Sequence, residues 1–439
     1  MQVSIESTSN IERRMTIGVP APEVEKEVDA RLQRTARSVK LNGFRPGKVP
    51  MHVVRKRFGA SVKQEVVGEL MRNAYIEALE KESINPAGYP RFEPKEIEDG
   101  KDLEFVAIFE VYPKIEICDL ASISVEKEVA EIKDKDVQNM LEVLRRQHAT
   151  FKPVKRKSKK KDVLTLDYAG TIDGEAFDGG STKGAKLTLG SGQMIPGFED
   201  ALVGAKAGDE LQIDVTFPDD YHAEKLAGKA AKFDVTVHGV DEVVLPELDK
   251  EFFQKYGVEA ETEEEFAVEI RKNMERELKQ ATSNKVKQLV VDQLIEKTAF
   301  DVPESLIASE IGRLKEEAFK QFGGMGGKMK SSDLPSEIFR DQADRRVRTG
   351  LLFNELIASN DLKVDAEKVK QRIEEVASTY EQPEEVVAWY ESNAAQKSQV
   401  EAVVLEDMVI DTILASAKVK EKKVSYEDAV KPPAKKETK

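Results

Sequence analysis

Soft metal ligands are scarce in this chain of 439 residues, which has one cysteine, Cys118, and four histidines. A single cysteine closes no disulfide within the chain and points to a reducing compartment. His52, His148, His222 and His238 stand far apart, so no metal constellation is readable and no cofactor is expected. Aromatic residues are only 6% of the total, with one tryptophan. No apolar run approaches ~18 residues, so neither a transmembrane helix nor a membrane partner is expected. The start, Met-Gln-Val-Ser-Ile-Glu, lacks the basic and then apolar pattern of a signal peptide. No Gly-x-x-x-x-Gly-Lys-Ser/Thr string occurs, which argues against ATP use. The expected setting is cytoplasmic.

Charge is what the chain has in abundance. Charged residues are 34% and apolar ones 40%, a balance that suits long solvated helices and several modest cores. At about 150 residues per domain, the length suggests roughly three domains. The formal net charge of −14 argues against a general nucleic-acid coat. Residues 1–112 nevertheless carry 18 basic and 18 acidic side chains, so the deficit lies downstream. Within residues 30–59 nine are Lys or Arg and none is acidic. That window suggests one local anionic partner such as RNA phosphate, with a solvated helix face as the plain alternative. A second basic run, Lys155–Lys161, is broken only by Ser158 and reads as a linker at a domain junction.

Periodicity divides the chain. Residues 2–19 alternate as strands do, and Pro20 and Pro22 open a helix with Val24, Val28, Leu32 and Ala36 at spacing four. A short stretch over 51–58 precedes a longer helix near 61–83, and 103–112 reads as a buried strand. Residues 113–133 read as extended and 134–149 as an amphipathic helix too short to stand alone, which must pack on later helices. From Asp162 to Val243, short β runs alternate with Gly-rich turns, including the hairpin pair Asp173-Gly174. Beyond Pro246 helical periodicity returns, with a capping box at Thr262–Glu265 and helices over about 303–322, 335–359, 365–380, 384–392 and 394–416. The Gly-Gly-Met-Gly-Gly loop at 323–327, with Met325 and Met329, suits adaptable contacts. The Lys-, Glu- and Pro-rich tail from Lys418 to Lys439 reads as disordered.

Four ordered blocks carry the sharpest signal. They are Leu166-Asp-Tyr-Ala-Gly170, Phe177-Asp-Gly-Gly180, Leu189-Gly-Ser-Gly-Gln-Met-Ile-Pro-Gly-Phe-Glu199 and Ala207-Gly-Asp209. Over about residues 160–243 they resemble the FKBP family of peptidyl-prolyl isomerases. The resemblance implies a bent antiparallel sheet around one short helix near Phe198–Leu202. It also implies a pocket lined by Tyr168, Phe177, Met194, Ile195, Phe198, Tyr221 and Phe233. Asp178 matches the family's pocket carboxylate, near the twisting carbonyl, and the Tyr221 hydroxyl would hold substrate backbone. The pattern departs at Phe198, where many members have Trp, and at Ala185, where an aromatic is common. The chemistry suits such residues. Rotation about X–Pro faces a barrier of ~18–20 kcal/mol and needs no nucleophile or metal. A dry apolar pocket favours the less charge-separated twisted amide.

Within the basic window stands Asn42-Gly-Phe-Arg-Pro-Gly-Lys-Val-Pro50. Two glycines and two prolines in eight residues make a stiff turn that presents one ring, Phe44, and two cations, Arg45 and Lys48. An aromatic anchor beside guanidinium suits a mixed protein–RNA surface. The string Gly43-Phe44-Arg45-Pro46-Gly47-Lys48-Val49-Pro50 resembles the ribosome-binding signature of the trigger factor family of bacterial chaperones. The order of segments matches as well. The resemblance implies an α+β multidomain protein. Residues 1–112 would form an N-terminal α+β ribosome-binding domain, and 113–149 a linker and a helix packing on the C-terminal body. Residues 150–245 would be an FKBP-like antiparallel β domain with one short helix. Residues 246–430 would be an all-α chaperone body with arms, and 431–439 a disordered tail. The implied partners are the ribosome, through an exit-tunnel protein and adjacent rRNA, nascent and unfolded polypeptides, and a second copy away from the ribosome. Two other readings compete: a free-standing isomerase of soluble folding proteins, and a non-enzymatic RNA binder with a steep salt dependence.

Overall fold

The computed structural model describes all residues except 1, 43, 45–48, 96–99, 222, 224, 323–329, 379, 381 and 433–439. Strands β1 (Gln2–Ser7) and β2 (Glu12–Val19) lead into helices α1 (Ala21–Ser38) and α2 (Met51–Glu82), then β3 (Arg91–Pro94), β4 (Leu103–Glu110) and β5 (Ser124–Val129). Helix α3 (Asp134–Gln147) precedes β6 (Thr150–Pro153), β7 (Val163–Ile172), β8 (Glu175–Thr188), the one-turn α4 (Phe198–Ala201), β9 (Glu210–Thr216) and β10 (Ala230–Val244). Helices follow as α5 (Lys250–Gln254), α6 (Glu263–Lys297), α7 (Glu304–Phe322), α8 (Glu337–Ser359), α9 (Ala366–Ala377), α10 (Pro383–Ser392) and α11 (Ala394–Ser416). The chain ends in β11 (Lys418–Lys423) and α12 (Tyr426–Val430). It divides into two compact units, residues 1–127 with 284–422, and 128–283 with 423–439.

In the first unit, β1, β2, β4 and β3 form an antiparallel sheet in that order. Register places Ile17 opposite Phe105 and Met15 opposite Ala107, so the alternating apolar residues share one face. That face buries against Val67, Ala74, Tyr75 and Ala78 of α2. Proline at its first turn and the Asp102 carboxylate, which accepts from the Ala21 N–H at 2.8 Å, start α1. The α1–α2 hairpin has its own small core of Leu32, Ala36, Val54, Val62 and Val66. Sequence reading splits α2 near Gly59, whereas the structure has one helix of 32 residues. A mid-helix glycine costs only ~1 kcal/mol, and the buried Val54, Val62 and Val66 hold both sides of it in register.

The helices of this unit pack in pieces. Ile123 and Val125 join Val290 of α6, Leu352 of α8 and Val409 of α11 in one core. Ile307, Ile311 and Leu314 of α7 bury against Ala343 of α8, and α9 meets α11 through Val369, Ile373 and Val404. The Glu110 carboxylate on β4 accepts from the N–H groups of Glu304 and Ser305 at 3.0 and 2.8 Å, capping α7 from the sheet. The loop at 323–329, with Met325 and Met329, lies outside the described residues.

In the second unit, β6, β10, β7 and β8 form an antiparallel sheet in that order, and β9 pairs β10. Its core of Leu164, Leu166, Phe198, Leu202, Ile213 and Val237 is wrapped around α4. A second core joins Val137 and Leu141 of α3 to Phe252, Phe253, Phe266 and Ile270, so α3 packs on later helices. The run at 155–161 is no free linker. Arg156 holds Asp162 at 2.5 Å and Glu242 at 3.0 Å, and buried Ser158 donates to the Leu202 carbonyl at 2.7 Å. Exposed lysines around one buried serine mark an edge strap of the β domain. The tail also differs from expectation over 418–430. There β11 pairs with β5, and α12 buries Ala429 and places Tyr426 in the α3–α6 core. Two apolar anchors in a charged segment suffice, because the edge of β5 supplies the backbone partners. Residues 433–439 lie outside the described part.

Candidate active site

Two irregularities of β8 build the site. Pairing with β7 runs from Leu166↔Ala185 to Tyr168↔Thr182, so Asp167 alone faces Lys183 and Gly184. It then steps from Ala169↔Ser181 to Thr171↔Ala176, leaving Phe177-Asp178-Gly179-Gly180 opposite Gly170 alone. This longer excursion lifts Phe177 and Asp178 out of the ladder. Glycine is needed where rings pass close. A Cβ on Gly170 would lie 2.5 Å from the Phe233 ring, and one on Gly180 would lie 2.8 Å from the Phe177 ring.

The rings converge on Phe233 of β10. Its centroid is 5.2 Å from Phe198, 6.1 Å from Tyr168 and 6.1 Å from Phe177, with edge-to-face geometry throughout. Tyr168 also meets Phe198 at 6.0 Å. Phe198 and Phe233 are buried, whereas Tyr168, Phe177, Met194, Ile195 and Tyr221 are half-buried and pack on the same core. Asp178 is exposed on the excursion. Phe217, which sequence reading takes only as a strand end, joins the set by linking Phe177 at 5.8 Å to Tyr221 at 4.8 Å. Its place directly before Pro218, at the end of β9, was the available signal.

The loop carrying Met194 and Ile195 is held by a group that sequence reading leaves without a role. The buried Glu199 carboxylate accepts from the N–H groups of Gly190, Gly192 and Met194 at 2.7, 3.2 and 3.2 Å, and from the Ser191 hydroxyl at 3.2 Å. Burial pushes the Glu199 carboxyl up, but these donors outweigh it and hold it below the ordinary glutamate range. Asp162 is likewise held low: burial opposes, and Arg156 and the Lys159 N–H prevail. A depressed carboxyl stabilises the fold above its unfolded pKa, about 4.3 for glutamate, and that stability is lost as pH falls below it. Glu199→Gln is therefore expected to cost ~2–3 kcal/mol, because an amide NH2 would face the loop N–H groups. It is also expected to flatten the acid limb of stability. Urea unfolding across an acid pH series checks this, and an unchanged acid limb would remove Glu199 from the account.

In the N-terminal turn, Phe44 is 40% exposed, and Pro50 stands in extended conformation just before α2. Gly43, Arg45, Pro46, Gly47 and Lys48 lie outside the described residues. The surrounding cations divide in two. Arg31 pairs with Glu65 and Glu69, and Arg55 with Asp29. Arg34, Arg37, Lys40, Lys56 and Arg57 are exposed and form no ion pair among the described residues.

An antiparallel sheet packed on a one-turn helix and a cluster of rings around Phe233 is the arrangement expected of an FKBP-type peptidyl-prolyl cis-trans isomerase domain. Residues 154–238 match the model of that family, residues 1–144 match that of bacterial trigger factor protein, and residues 262–415 match that of its C-terminus. Curated relatives named trigger factor are 63% identical over 430 residues in Marinobacter nauticus and 58% identical over 432 residues in Hahella chejuensis. Each comparison covers 98% of this chain, with 98% and 96% of the relatives covered. The chain belongs to the trigger factor family. It is a chaperone acting on polypeptides and carries a peptidyl-prolyl isomerase of the FKBP type. No helix among the described residues is long and apolar enough to cross a membrane.

Proposed function

We propose that this chaperone works in the cytoplasm, docked at the ribosomal exit site through Gly43–Lys48 and Pro50, and receives nascent chains there. The observation that carries the docking is the exposed Phe44 ring in a stretch that also holds five exposed cations with no ion pair among the described residues, in a chain whose net charge is −14. A ring seats on protein, and uncompensated Arg and Lys reach neighbouring phosphates, as an exit-site protein flanked by rRNA would offer. Arg31 and Arg55 are already paired with carboxylates of the hairpin, so they are not counted among these cations.

The isomerase pocket is assigned to Tyr168, Phe177, Asp178, Met194, Ile195, Phe198, Tyr221 and Phe233. An X–Pro segment entering it exchanges water for rings and aliphatic side chains. Water no longer stabilises the planar dipole, so the twisted amide gains relative to the planar one. The Tyr221 hydroxyl serves to hold substrate backbone, and the exposed Asp178 faces the rotating carbonyl. Residues 246–430 supply the holding surface, and away from the ribosome a second copy occupies it.

Co-sedimentation with bacterial ribosomes tests the docking. The Phe44→Ala, Arg45→Ala, Lys48→Ala triple variant is expected to lose binding that the native chain shows, with prolyl isomerisation unchanged. Retained binding by the variant would place the docking surface elsewhere.

A further inference from the structure

The short irregularity of β8 is closed by an ion pair that lies outside the pocket. Asp167, which faces two β8 residues alone, accepts the Gly184 N–H on Oδ1 at 2.7 Å. Its other oxygen, Oδ2, lies 2.9 Å from Nε2 of His238 on β10. One carboxylate therefore ties β8 to β10 across β7. Between this tie and the Phe177–Gly180 excursion, only Tyr168↔Thr182 and Ala169↔Ser181 are paired. The excursion is thus joined to the tie by two residue pairs, and on its far side to the hairpin end by Thr171↔Ala176 and Ile172↔Glu175. Gly184 has a φ of +65°, so its N–H has left the regular ladder and has Asp167 as its partner.

We propose that Asp167 and His238 are positioning residues for the isomerase, a clasp that sets where β8 presents Phe177 and Asp178. The proposal rests on the pocket assignment above. Neither residue belongs to the assigned pocket set, so both are positioning rather than catalytic residues. Without the clasp, β8 can slide against β7 at its irregularity, and Phe177 and Asp178 shift relative to Phe233 and Tyr168. An amide held only in its twisted state is sensitive to such shifts, so the loss should appear in kcat more than in KM. The clasp is charged only while His238 is protonated. Lys183 on β8 is a further cation acting on Asp167, and Asp234 on β10 lines the same shallow concavity.

The test is exchange spectroscopy of a short X–Pro peptide with the full-length chain, yielding kcat and KM for the native chain and four variants. Asp167→Ala is expected to lower kcat about tenfold, as loss of a charge-assisted hydrogen bond implies. His238→Gln should lower it about threefold, the scale of a half-exposed ion pair. His238→Lys restores the cation and should keep kcat at the native level. Native kcat in a folded Asp167→Ala variant, or a His238→Lys variant whose kcat is no higher than that of His238→Gln, would overturn the clasp. Phe177→Leu separates the two readings. If it leaves kcat/KM unchanged, the pocket assignment fails and the clasp with it. If it lowers kcat/KM while Asp167→Ala does not, the clasp alone fails.

Discussion

Phe233→Ala is expected to abolish most of the isomerase activity and to weaken the β domain by about 3–5 kcal/mol. The ring is 4% exposed and touches Tyr168, Phe177 and Phe198 edge to face, so its removal leaves three rings without their common partner. Gly170 exists to admit that ring, and an empty seat cannot be refilled from a glycine. A fall in kcat/KM of at least about tenfold, or ~1.4 kcal/mol in the barrier, is expected. Phe233→Leu separates stability from chemistry. It keeps most of the buried volume, so unfolding should shift by less than about 1.5 kcal/mol, while the walls set by ring edges are lost and activity still drops. Peptide isomerisation measured beside urea unfolding decides the matter. A Phe233→Leu variant with native kcat/KM would show that the ring is core alone. Ribosome co-sedimentation should be native in both variants, since the basic hairpin belongs to the other compact unit.

What could be read from the sequence depended on whether function was written in contiguous residues. The rings that meet around Phe233 lie in short strings whose spacing is kept by tight turns, so their grouping was legible in the sequence. The hairpin turn at Asp173-Gly174, both residues at positive φ, was legible for the same reason. The irregularities of β8 were not. Two residues opposite one is a property of a pair of strands, and alternation along either strand is silent about it. Glu199 shows a related limit. An acidic residue just inside a helix reads as an ordinary first-turn charge, and nothing local says that its carboxylate turns back to four donors between Gly190 and Met194. The Asp167–His238 tie joins residues 71 positions apart in sequence, beyond the reach of any spacing rule. The basic run at 155–161 and the tail beyond Lys418 read as unstructured because composition averages over few anchors. One buried serine and one buried tyrosine outweigh the lysines around them.

That tyrosine carries the second large effect. Tyr426→Ala is expected to destabilise the α3–α6 region by about 3–5 kcal/mol and to release the segment after Lys423. The side chain is 6% exposed among Phe252, Phe253 and Phe266, and its hydroxyl donates to Glu277 at 2.7 Å. Tyr426→Phe keeps the ring and removes only that bond, so it should cost closer to ~1 kcal/mol. The pair therefore divides packing from hydrogen bonding. The hydroxyl's pKa is raised, first by burial and then by the Glu277 carboxylate. A raised tyrosine pKa stabilises the fold below the unfolded value of about 10, and this stability is lost as pH rises beyond it. Stability of the native chain should thus decline in alkali more steeply than that of Tyr426→Phe. Proteolysis should reach the tail of the Ala variant first, while the FKBP-type domain, which has a separate core, keeps its isomerase activity. If the Ala variant kept the native unfolding midpoint and a protected tail, the docking of α12 would be incidental, and β11 alone would hold the end of the chain.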